Sequence, residues 1–140
     1  MSYDLAVFDP KNVPTDDRAA FVAWFMEETT WSRDIDYNDP SNLSPNLAKL
    51  FDEVTQRFRP MNSPVTSRAS SKADFALSAN LIYVGCSFSD ADIAYDTLFA
   101  AAGKHGCGFF DVSAWRSTVW LPDGSGGLMK HSRRAWWKLV

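Results

Sequence analysis

The sequence predicts an α+β fold: a two-layer sandwich whose antiparallel or mixed sheet carries its helices on one face. Three observations lead there. Apolar alternation or short apolar runs mark strands near the start, in the middle and toward the end of the chain. Segments with apolar residues at helical spacing lie between them. The resulting order is β-α-α-β-β-α-β-β. Short connections and right-handed crossovers reduce it to a variant of the ferredoxin-like βαββαβ plan, with one extra helix and an added hairpin strand. The 140 residues read as a single domain, 1–140, with no linker or internal repeat.

Tyr3, Leu5 and Val7 alternate with Asp4, Ala6 and Phe8, and Asp9-Pro10 ends this first strand. Thr15 is the expected N-cap of a helix over 16–30, with Asp16 and Asp17 in its first turn. Phe21, Trp24 and Phe25 form its apolar face. Residues 31–43 break the pattern, and Asn38-Asp39-Pro40-Ser41 is a turn cluster. Ser44 and Pro45 open a second helix as N-cap and first-turn proline. Leu47, Leu50, Phe51, Val54 and Phe58 follow at one-face spacing until Pro60 stops the helix. Residues 60–73 read as a long exposed loop.

Phe75 and Leu77, then Leu81–Phe88, suggest a hairpin about Asn80. Ser89 is the expected cap of a third helix, with Ala91, Ala94, Tyr95, Leu98, Phe99 and Ala102 buried and Gly106 as its left-handed terminator. Strands at 109–112 and 118–121 complete the sheet. Residues 124–127 read as flexible, and the basic aromatic tail through Val140 has no assigned conformation. With all helices on one face, the other sheet face needs cover from the tail, a second copy or a partner.

The apolar fraction of 46% excludes a wholly disordered chain. No apolar run approaches the ~20 residues that span a bilayer. The opening MSYDLAVFDP lacks the basic start of a signal peptide. Cys86 and Cys107 make no disulfide framework, and the simplest compartment expected for the chain is a reducing cytoplasm. The net charge of −3 is unevenly spread: residues 1–56 carry −7, residues 57–123 are neutral and residues 124–140 carry +4. Such an acidic half disfavours phosphate backbones and favours a basic partner. Its plain alternative is a solvated surface that keeps the protein soluble.

No catalytic signature stands out. Cys107 lies beside His105, the pairing a thiolate nucleophile needs, but both residues also suit a helix end and a buried core. Two histidines and two cysteines have no zinc spacing, and Asp34, Asp36 and Asp39 lack the glycine and glutamate of a calcium loop. No cofactor or metal is expected. GSGG at 124–127 precedes no Lys-Ser/Thr helix and is no phosphate loop. The paired acids Glu27-Glu28 and Asp52-Glu53 read as solvated faces. The tail interleaves basic residues with Trp136 and Trp137, which suits either stacking on nucleic acid or packing onto the protein's own sheet.

Several segments are distinctive together: SYDLAVFD, Trp31-Ser32 after the first helix, Phe58-x-x-Met61-Asn62, and KHGCGFFDVS at 104–113. Over residues 2–123 they resemble a family of small, mostly uncharacterised bacterial cytoplasmic proteins, some of which look like immunity proteins encoded beside polymorphic or type VI secretion toxins. Asp74-Phe75-Ala76-Leu77-Ser78 departs from the D-Y-S-I-G pattern of that family. The resemblance implies a non-enzymatic partner of one cognate toxin, whose active site it would occlude. A basic cleft on the toxin would suit the acidic half.

Candidate contacts are Trp31, Asp34, Asp36, Tyr37 and Asp39 in the irregular segment, and Trp115 and Arg116 in a late turn. Trp and Tyr are favoured interface anchors. Against this, Trp31 and Tyr37 could cap the core while the aspartates form turns. No membrane or nucleic-acid partner is expected, and the protein is a monomer or a homodimer. The alternative function is a nucleotide- or nucleic-acid-binding module using the tail.

Overall fold

In the computed structural model, which describes residues 2–62, 65–114 and 117–131, β1 (Tyr3–Phe8) is the central strand of the sheet. Leu5, Ala6, Val7 and Phe8 are all fully buried, so both faces of this strand are covered. The chain continues through α1 (Arg18–Glu28), α2 (Pro45–Val54), β2 (Phe58–Pro60), β3 (Ser71–Ser78) and β4 (Leu81–Cys86). It ends with α3 (Ala91–Lys104), β5 (Gly108–Phe110), β6 (Val119–Pro122) and β7 (Leu128–Lys130). The seven strands of the described residues lie in the order β2-β3-β4-β1-β5-β6-β7. β2 runs parallel to β3 and every other neighbouring pair is antiparallel, which makes the sheet mixed.

The α+β class and the mixed sheet agree with the sequence, but the helices do not share one face. Side chains of a strand alternate between faces. Leu5 and Val7 enter a core with Leu47, Leu50, Phe51 and Val54 of α2 and Ala94, Leu98 and Ala102 of α3. Ala6 and Phe8 enter a second core with Phe21 and Phe25 of α1. Phe21 meets Phe8 at 4.8 Å and Phe110 at 5.1 Å between ring centres. An amphipathic pattern says that a helix has a buried face, not which side of the sheet receives it. Part of the face expected to be open is therefore covered by α1.

Helix boundaries shift for local reasons. Asp17, not Thr15, caps α1: its Oδ1 accepts the amide of Ala20 at 2.7 Å. Asp is at least as good a cap as Thr and sits two residues closer. Ser44 and Pro45 open α2 as expected, although the buried Ser44 hydroxyl makes no capping bond. α2 ends at Val54, and Phe58 joins the same core from β2 rather than from a further helical turn. Ser89 lies within a 3-10 turn before α3, whose N-terminal flank is Asp90. Gly106 has φ 68°, the left-handed terminator expected there.

Residues 123–127 form an ordered turn between β6 and β7, a correction to the flexible segment expected from GSGG. Asp123 Oδ1 accepts the amides of Ser125 at 2.8 Å and Gly127 at 3.2 Å. Gly124 and Gly126 supply positive φ angles of 85° and 90°. A Cβ on Gly103 of α3 would stand 2.9 Å from the Gly126 carbonyl, so the helix lies directly on this turn. The expected tail contacts of Trp136 and Trp137 lie outside the described residues.

Candidate functional site

α1 covers only part of its face of the sheet. It ends at Glu28, where the Thr29 hydroxyl donates to the Phe25 carbonyl at 2.9 Å. Two residues later Trp31 adopts φ 53°, a left-handed conformation that a bulky residue takes only when its surroundings hold it there. The holding contacts are aromatic. The indole meets Tyr37 edge-on at 5.0 Å and Tyr83 edge-on at 5.7 Å. Tyr37 is itself fixed: its hydroxyl accepts the Ser32 amide at 2.8 Å and its carbonyl accepts the Leu77 amide at 2.7 Å. The segment is thus tied to β3, and Trp31 stands 39% exposed at the rim.

Beyond Trp31 the sheet surface is concave. Asp4, Gly85 and Asp74 are register partners on β1, β4 and β3, so they form a row across three strands. Ser2, Ala76, Tyr83 and Trp31 close a concavity of about 210 Å³ around that row. It continues into a wider one of about 500 Å³ lined by Met61, Lys72, Cys86, Ser87 and Asp90. Gly85 is its floor. A Cβ there would meet Asp4 Oδ1 at an ordinary 3.5 Å, so side-chain volume added at this position would fill space rather than clash.

The polar groups around the row are partly engaged. Asp4 Oδ2 accepts the Tyr83 hydroxyl at 2.6 Å, and Oδ1 accepts the Ser2 hydroxyl at 2.7 Å. Among the described residues Asp74 Oδ1 takes one long 3.4 Å bond, from Asn62 Nδ2. Neither carboxylate has an ion-pair partner among the described residues. Burial first, and the Asp4 carboxylate second, push the Tyr83 phenol well above its ordinary range, which keeps it a proton donor to Asp4. At the neighbouring end of β1, the Tyr3 hydroxyl donates to Asp111 Oδ1 at 2.9 Å. Burial, then the bond to Asp111, raises that phenol to about 12.

The distinctive sequence segments meet around this region. The Asp4 amide donates to Ser113 Oγ at 2.8 Å and the Ser113 amide returns to the Asp4 carbonyl at 3.1 Å. Met61 of the Met61-Asn62 pair lines the wide end, and Trp31 the narrow end. Asp4, Asp74, Tyr83 and Gly85 were not singled out by the sequence. Their signal was present only as polar or glycine residues at strand positions that share one face.

The candidate contacts divide. Trp31 and Tyr37 are brought together beside Tyr83. Asp36 Oδ1 accepts the Asn38 amide at 3.0 Å and Asp39 Oδ1 the Ser41 amide at 2.9 Å, so both form turns. The Ser41 bonds hold the Asp39 carboxyl below its usual range. Asp34 is exposed, and so is its neighbour Ile35. Trp115 and Arg116 lie outside the described residues.

The cysteines show no activated pair. Cys107 turns its thiol toward the His105 carbonyl at 3.7 Å, while the His105 ring faces Glu53 at 3.4 Å. Burial pushes the Cys107 thiol up to about 12 and raises that of Cys86 as well. Among the described residues no three His, Cys, Asp or Glu side chains gather closely enough to hold a metal ion, and no helix is long and apolar enough to cross a membrane. Comparison with family models, with curated proteins and with solved structures gives no match for this chain.

Proposed function

We propose that the protein is a non-enzymatic binding protein that neutralises a cognate bacterial toxin by covering its active site. The toxin comes from the resemblance of the sequence segments, and the manner of binding comes from the surface. One observation carries the reading: a tryptophan held in left-handed backbone stands exposed beside two carboxylates, Asp4 and Asp74, that have no ion-pair partner among the described residues. A preset aromatic at the rim binds without first being ordered, and interfaces draw much of their energy from such anchors. The acidic first half, at −7, supplies long-range attraction to a basic cleft.

The test is association of the purified protein with the toxin domain encoded beside it, measured at rising salt. The expected result is a one-to-one complex whose association rate falls as salt screens the charges. A folded protein that forms no complex would overturn the reading. A rate unaffected by salt would remove the acidic surface from it.

A further inference from the structure

We infer that the groove beside Trp31 receives an arginine side chain of the protein partner. The inference rests on the reading above and names the chemistry that the groove fits. Its floor has no side chain at Gly85, while Asp4 and Asp74 flank that position in register. Neighbouring strands are about 4.8 Å apart, so the two carboxylate-bearing backbones stand about 10 Å from each other. A flat guanidinium fits between them against the Trp31 and Tyr83 rings, where stacking and cation–π attraction add to the charge.

Asp74 is the better acceptor. Among the described residues its carboxylate has no ion-pair partner and one long bond, from Asn62, so it is available to a planar double donor. Asp4 is held in place by Tyr83 and Ser2 and contributes its charge. Ala76 and Met61 give the aliphatic stem an apolar path. Lys72 lines only the wide end. A phosphate-bearing ligand would face the two carboxylates and is disfavoured. A compact lysine ammonium would match one carboxylate without using the aromatic walls, so arginine is the occupant the lining favours.

The test uses the whole protein and three blocked tripeptides, Gly-Arg-Gly, Gly-Lys-Gly and Gly-Glu-Gly, followed by amide and indole resonances. The expected result is a saturable shift of the Gly85 amide and the Trp31 indole with the arginine peptide, weaker with lysine and absent with glutamate. Asp74→Asn should weaken the arginine peptide by about tenfold or more. Gly85→Leu, which fills the floor, should abolish the shift while the remaining spectrum stays folded. No saturable shift, or one unchanged in both variants, overturns the inference. Toxin captured at full affinity by both variants also overturns it, but leaves toxin binding intact. A saturable arginine shift without any toxin complex removes the toxin reading and keeps the groove.

Discussion

The Tyr83 hydroxyl donates to Asp4 Oδ2 across 2.6 Å, joining β4 to β1 diagonally below the Trp31 ring. A bond to a charged, half-buried acceptor is among the stronger ones in a protein. Tyr83→Phe keeps the ring that supports Trp31 and removes only the donor. It should lower unfolding stability by about 1–2 kcal/mol in urea denaturation, with the fold retained. A change below a few tenths would mean that water replaces the donor at no cost.

Trp31 serves both binding and stability. Trp31→Gly relieves a left-handed backbone strain of about 1 kcal/mol but gives up two edge-on aromatic contacts of about that size each, and the burial of most of the indole. Net stability should fall by about 2–4 kcal/mol. Affinity for the partner should fall by about 30-fold or more, the loss expected for an aromatic anchor buried by the partner. Calorimetric titration beside thermal melting reads both, and equal affinity would remove Trp31 from the interface.

Two glycines in neighbouring parts of the sheet should behave oppositely. A Cβ on Gly108 would lie 2.1 Å from the Phe8 ring, inside the α1 core, whereas one on Gly85 meets nothing closer than 3.5 Å. Gly108→Ala should cost about 3 kcal/mol or prevent folding. Gly85→Ala should change stability by less than about 1 kcal/mol. Denaturant midpoints of the two variants decide it, and an equal cost would contradict the packing described.

The Tyr3–Asp111 bond should give an alkaline signature. Burial and Asp111 raise the folded phenol from 10 to about 12, so the folded state holds its proton longer than the unfolded chain does. The resulting stabilisation is complete below about pH 10 and is lost as pH rises toward 12. The gap in urea stability between the wild type and Tyr3→Phe should therefore narrow from pH 8 to pH 11. A constant gap would contradict the shift.

Long periodic elements were legible in the sequence. The first strand, the three helices and the hairpin of β3 and β4 each have several residues on one buried face. β2 and β7 are three residues long and show too little alternation to read. Phe58 extends the spacing of α2 and so looked helical, yet it reaches the same core from a strand. Trp31 and Tyr37 were legible as aromatics in a broken segment. The row of Asp4, Gly85 and Asp74 was not, because it exists only once three distant strands are placed in register.

Toxin neutralisation is most directly tested by co-expression with the proposed cognate toxin, with growth as the readout. The wild-type protein should restore growth, and Trp31→Gly, expressed at the same folded level, should protect far less. Growth arrest in the presence of abundant folded wild-type protein would contradict it.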